Sequence, residues 1–213
     1  MRLRRKGSPG TDGAAVDQAG AQGEPDSAAD PRRGGPWDIS EVPDDDVERV
    51  DLGSLLISPQ GDRELRLQVD EQTQSVQAVL IAGPDGALEL RAFAAPRGGD
   101  LWGEARTQIA AETAQRGGTA TERDGRYGAE LMCELTVQRP DGTSARQPSR
   151  VVGVNGPRWL LRATFLGRPA VEPDAAAAWE DTLASVVVNR GSQAMPPGDP
   201  LPLTLPAEAR RVT

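Results

Sequence analysis

The chain of 213 residues carries 24 basic and 32 acidic side chains, a net charge of -8, no histidine and a single cysteine, Cys133. An acidic chain gains little from the attraction that drives binding to phosphate backbones, so nucleic acid is a disfavoured partner. Without histidine, most zinc sites, Ser–His and Cys–His nucleophile pairs and imidazole acid/base chemistry fall away, and one cysteine cannot form an intramolecular disulfide.

At 37% hydrophobic and 3% aromatic, the core must be modest and built mainly on Val, Leu, Ile and Ala. No apolar run approaches the ~18 residues that a membrane-spanning helix needs. The basic start Met1–Lys6 lacks the apolar region of a secretion signal, so a cytoplasmic location is expected. Residues 1–34 are rich in Gly, Ala, Asp, Ser and Pro, with almost no large apolar side chain, and are expected to be a disordered tail.

Trp37, Ile39 and Val42 end that polar tract and mark the start of a single α+β domain over residues 35–194. Asp44, Asp45, Asp46, Glu48 and Asp51 form an acidic entry segment, extended or with a short helical turn. These carboxylates could gather a hard cation such as calcium or magnesium. The spacing lacks the glycine and terminal glutamate of an EF-hand loop, and a solvated acidic segment explains it without a metal.

Leu52–Ile57 reads as a first short strand. Glu64–Val69 alternates, with Leu65, Leu67 and Val69 on one face. Ser75–Ala82 and Leu88–Phe93 form a hairpin around the turn Gly83-Pro84-Asp85-Gly86. The clearest helix lies within Gly99–Gly118. Asp100 caps its start, and Trp102, Ala105, Ile109, Ala110, Thr113 and Ala114 form one buried stripe. Glu112 and Arg116 make a favourable acid-then-base pair, and Gly117-Gly118 supplies the stop. Trp102 reads as a core anchor against a sheet.

Thr119–Arg123, Gly128–Gln138 and Arg150–Val154 read as further strands, and Cys133 as a buried, inert thiol. Asn155-Gly156 is a strong hairpin signal leading into a strand over 158–166. Asp174 is placed to cap a second helix carrying Trp179, Leu183 and Val186, with a last strand at Val186–Arg190. Residues 195–213 form an extended Pro-rich tail, in which Leu201, Leu203 and Leu205 alternate with polar or proline positions. Hairpins interrupted by two helices define the expected class: α+β, one twisted, largely antiparallel sheet packed by helices.

Four blocks carry a family resemblance: GPWDISEVPDDDVERVDLGSLLI at 35–57, AFAAPRGGDLWGEAR at 92–106, RVVGVNGPRWLLRATFLG at 150–167 and VVVNRGSQAMPPGDPLPLTLP at 186–206. In this order they resemble domain of unknown function 3710, a family of GC-rich Gram-positive bacteria. The resemblance implies no activity, cofactor or site residues. The order of strands and helices is also similar in outline to Mog1/PsbP-like folds, which mostly act as binding or assembly modules.

The remaining chemistry rests on arginine. Arg158 beside Trp159, with Arg162 beyond, could recognise an anionic or planar ligand. Alternation puts Trp159, Leu161 and Ala163 on one face, and Arg158, Leu160, Arg162 and Thr164 on a partly wet one. The expected function is a non-enzymatic binding or assembly module with a protein partner and no cofactor, using Arg158 and Arg162 or Asp44, Asp45 and Asp46. The alternative is an enzyme using Asp, Glu or Arg side chains, with or without magnesium, such as a hydrolase.

Overall fold

Alternating strands paired by short turns build most of the molecule, as seen in a computed structural model that describes residues 34–42, 44–58, 60–139 and 141–205. The described residues belong to one compact unit. The expectation for residues 1–34 falls, apart from Gly34, on residues outside those described.

Three short strands come first: β1 (Trp37–Asp38), β2 (Val50–Asp51) and β3 (Leu55–Ile57). Longer ones follow: β4 (Glu64–Val69), β5 (Val76–Ala82) and β6 (Gly86–Ala94). Helix α1 spans Leu101–Gln115. After it come β7 (Thr119–Gly125), β8 (Gly128–Gln138), β9 (Ser144–Asn155) and β10 (Trp159–Gly167). Helices α2 (Arg168–Val171) and α3 (Pro173–Ala184) precede the last short strand, β11 (Val187–Val188).

Seven strands form an antiparallel sheet in the order β4-β5-β6-β10-β9-β8-β7. A second, four-stranded sheet has the order β1-β11-β3-β2, with β1 and β11 parallel. The protein is therefore α+β, with a largely antiparallel sheet packed by helices.

Side-chain alternation on β10 divides two cores. Trp159, Leu161, Ala163 and Phe165 join Leu55, Ile57, Trp179, Leu183 and Val188 in the larger one. Leu160 points the other way, into a smaller core with Trp102, Leu131, Cys133 and Val151. The small sheet and α3 thus cover one face of the large sheet, and α1 covers part of the other.

Helix α1 starts where Asp100 accepts a hydrogen bond from the Gly103 amide, 2.9 Å away. Asn155, the last residue of β9, donates to the same Asp100 oxygen at 2.8 Å and accepts from the Trp102 amide at 3.2 Å. The hairpin that the Asn155-Gly156 pair encodes therefore also holds the helix start. Trp102 and Thr113 are buried, with Ala105, Ile109 and Ala110 packed partly against the same core. Ala114 is exposed, because Thr113 takes the last sheet-facing place on the helix and its neighbour turns away. Glu112 accepts from Gln108 at 2.8 Å, one turn before the expected arginine partner. Gly117 ends the helix in the left-handed region, φ +76°.

Strand β9 starts at Ser144, well before the expected Arg150, and the last strand is only Val187–Val188. One side chain and one helix cap also differ from the sequence expectation. Val69 is exposed because the β4–β5 register shifts between Gln68 and Val69, turning it off the face that Leu65 and Leu67 occupy. The second helix is capped at Glu172 rather than Asp174, since Pro173 takes the first helical position, where its missing N–H costs nothing.

Beyond β11 the chain lies along β6. The Leu201 amide donates to the Ala92 carbonyl and the Ala94 amide to the Asp199 carbonyl, at 2.9 and 2.8 Å. Pro200 and Pro202 flank that donor, so only the alternate residue needs to pair, and Leu201 is buried in the main core.

Candidate functional site

Helix α1 packs over β7, β8 and β9. On the same face, β4 and β6 carry charge, and β5 between them presents the uncharged Leu80. Cross-strand pairing aligns Arg66, Leu80, Glu89, Thr164, Val151 and Leu131 in one row across six strands. Val151 and Leu131 end under α1, whereas Arg66 at the other end is 58% exposed. This row converts a covered surface into an open one within a single sheet face.

The next pair along β6 and β10 is Arg91 opposite Arg162. Like charges directly across a strand pair repel, and a single carboxylate lies between them. Glu89 Oε1 accepts from Arg91 Nε at 3.0 Å and stands 3.8 Å from Arg162 Nη2. Arg91 is 32% exposed, Arg162 24% and Glu89 19%. The Phe93 ring, 5.5 Å from the guanidinium carbon, supports Arg162 from one side. Arg162 Nε is buried and has no hydrogen-bond partner among the described residues. Burial holds its pKa below the usual arginine value and Arg91 adds to this, with Glu89 and Glu112 opposing.

Arg162 forms one wall of a cleft of about 190 Å³ between the sheet and the second half of α1. Ile109, Leu135 and Val151 give it an apolar side, and Ser149 and Thr164 add hydroxyls. Cys133 also reaches this cleft. Burial pushes its thiol pKa up, and the Thr113 hydroxyl 3.9 Å away eases the shift. A protonated, buried thiol is a poor nucleophile.

The other residues singled out in the sequence lie elsewhere. Arg158 sits in the β9–β10 turn and donates to the Gly191 carbonyl at 3.2 Å, so the pair expected on one face is split. Nor is that face uniformly wet, because Leu160, between the two arginines, is buried beneath α1. Asp44, Asp45 and Asp46 are exposed on a segment without regular secondary structure. Asp45 is engaged by Arg49 through two contacts of 2.8 and 2.9 Å, which hold its carboxyl below the usual range. Among the described residues, no group of three or more Cys, Asp or Glu is arranged to hold a metal ion.

Sequence reading missed Glu89 and Arg91. Their alternation with Leu88, Leu90 and Ala92 was visible, but placing them beside Arg162 required the pairing of strands some seventy residues apart. It also missed a buried ion network on the opposite face. Glu130 and Arg150 are almost fully buried and meet at 2.9 Å, with Arg123 on the first and Glu180 of α3 on the second. Arg150 also lies over Phe165, 4.9 Å from its ring centre. This chain of charges fastens α3 to the sheet and leaves the arginine cleft on the other side.

Fold and face together define a mostly β, α+β protein with an arginine-walled cleft beside an open sheet surface. The chain belongs to the family of proteins of unknown function DUF3710, whose model matches residues 35–212. No curated protein matches it. Among solved structures it is similar to a crystal structure from Bacteroides thetaiotaomicron VPI-5482, at 14% identity and TM-score 0.38. That match covers 67% of this chain and 47% of the other, so the chain spans about half of that relative's length. It is also similar to the solution structure of cyanobacterial PsbP (CyanoP) from Synechocystis sp. PCC 6803. There the identity is 14% and the TM-score 0.37, over 67% of this chain and 92% of that one. No helix among the described residues is long and apolar enough to cross a membrane.

Proposed function

We propose that the protein is a binding module that takes an acidic segment of a protein partner on the open face of β4, β5, β6 and β10. The observation that carries this reading is the charge imbalance at Glu89, where two arginines, Arg91 and Arg162, share one carboxylate. A guanidinium that is mostly desolvated and incompletely paired gains from a carboxylate able to meet its fork. Arg66 extends the same surface to the sheet edge, where among the described residues it pairs only with the neighbouring exposed Glu64. Arg162 is the residue of the sequence-derived set that belongs to this surface. Arg158 and Asp44–Asp46 are not part of it.

Rigid strands hold these side chains in a fixed array, which lowers the ordering cost of association compared with loops. Complementary charge would set the partner's approach and register more than its total affinity. The test is photo-crosslinking in the native cell from a benzoylphenylalanine placed at Leu80, in the middle of the charged row. The same group at Val171, an exposed position in α2, serves as the control. A discrete protein adduct from position 80 that is absent from position 171, and is lost with Arg91→Glu, supports the reading. Identical adduct patterns from both positions, or an adduct indifferent to Arg91→Glu, overturn it.

A further inference from the structure

We propose that the cleft between α1 and β9–β10 is a binding site for a monocarboxylate on a short aliphatic stem, with Arg162 as the residue that grips the carboxylate. The inference rests on the reading of this face as the binding surface, and it names the chemistry of the group that enters.

Three features select that class. First, Arg162 supplies a planar fork whose Nε is buried and unpartnered, while the nearest protein carboxylate stays 3.8 Å from Nη2. Nε itself is closed to solvent, so a ligand carboxylate would meet the two Nη donors of the partly exposed side chain, a bidentate arrangement that the planar guanidinium also offers. Second, Ile109, Leu135 and Val151 line the cleft next to that fork, and its volume of about 190 Å³ admits a small branched stem. The Ser149 and Thr164 hydroxyls give the second carboxylate oxygen or a neighbouring amide something to bond.

Third, the rim charge and the apolar wall together favour a monoanion over a more highly charged anion. The cleft is bordered by Ile109, Glu112 and Thr113 of the second half of α1 and by its C-cap Arg116, where the helix dipole presents its negative end. Glu112 adds its negative charge to this rim. Arg162 and the exposed Arg116 at the rim offset these terms, but a phosphate dianion meets them with two charges and has no stem to fill the apolar wall. A monoanion with an apolar tail meets them more weakly and fills the apolar wall.

The same chemistry has two sources: a free branched-chain acid, or the C-terminus of a protein ending in a residue such as valine. The experiment separates them. The full chain, labelled with nitrogen-15, is titrated with isovalerate and with its neutral isostere isovaleramide. A short peptide ending in valine is then tested with a free or an amidated C-terminus, and inorganic phosphate is tested last. The signals to follow are the Arg162 Nε–H and the backbone amides of Val151 and Thr164.

Saturable shifts of these signals with isovalerate, absent with isovaleramide, support the site. If the free-acid peptide binds more tightly than isovalerate and its amide does not bind, a protein C-terminus is the source. If isovalerate alone binds, it is the free acid. Arg162→Lys, which keeps the charge but loses the fork, should weaken the bound acid by about tenfold. Should that variant lose its fold, the comparison of isovalerate with isovaleramide on the unmodified chain decides by itself.

Silence of all three signals with both carboxylates overturns the proposal, as does equal binding of phosphate or of isovaleramide. A silent cleft with crosslinking from position 80 intact would remove this site and leave the protein-binding surface standing. Carboxylate binding without crosslinking would do the reverse.

Discussion

Arg91 and Arg162 stand directly opposite one another on β6 and β10, two positive charges across one strand pair, with Glu89 as their shared counter-charge. Folding alone has no use for this arrangement, since like charges in register destabilise a sheet. Arg162→Met keeps the length of the side chain, removes the repulsion and no longer buries an unpartnered N–H. It should leave stability unchanged or raise it by up to ~1 kcal/mol. Denaturant titration checks this, and a loss of several kcal/mol would make Arg162 a structural residue.

The opposite face should respond in the other direction. Glu130 and Arg150 are both almost completely buried and bonded at 2.9 Å, so neutralising one strands the other. Glu130→Gln is expected to cost about 3–5 kcal/mol. Retained stability would mean that Glu180 alone suffices for Arg150.

Trp102 lies against Gly153 so closely that a Cβ there would fall 2.1 Å from the indole ring. Its Nε1 donates to the Ala129 carbonyl at 2.7 Å. Trp102→Ala should lose about 3–5 kcal/mol, the range for emptying a large aromatic site. Gly153→Ala should lose about 1–3 kcal/mol through overpacking. In the Trp102→Ala background the second change should cost little, because the two positions are coupled through contact. A double-mutant cycle reads that coupling directly, and additive losses would show that the contact is not what constrains Gly153.

Much of this framework was legible from local pattern. Asp100, the apolar stripe after it and the Asn155-Gly156 turn fixed α1 and the β9–β10 hairpin, because caps and turns act within a few residues. Alternation also put Arg162 on the face opposite Trp159 and Leu161. What local pattern could not supply was the neighbour. Nothing within Gly128–Gln138 marks Glu130 as buried until β9 brings Arg150 to it. Leu160 and Arg162 share a face, but α1 covers the first and only flanks the second. Ala114 and Val69 went astray for related reasons, one beside the last sheet-facing helix residue, Thr113, and the other at a register shift.

Tyr127 sets an alkaline limit. Burial is the main cause that pushes its pKa up to about 12, from an ordinary value of 10, with Arg126 opposing. The folded state therefore favours the neutral phenol. Below pH 10 both states keep the proton and stability does not change with it. Between pH 10 and 12 the unfolded chain loses the proton while the folded chain keeps it, so stability falls as pH rises. Tyr127→Phe should flatten that fall, as measured by melting temperature across this window. An unchanged slope would assign the alkaline loss to other groups.

The most direct test of the binding account is the affinity of the full chain for the protein crosslinked from position 80, measured with and without Arg66→Glu and Arg91→Glu together. Both side chains are solvent-accessible, so circular dichroism and melting temperature should stay close to the parent's. The account predicts at least a roughly tenfold loss of affinity, or about 1.4 kcal/mol, and weaker binding by the parent protein as salt is raised. Equal affinity of the two folded proteins, with no dependence on salt, would contradict it.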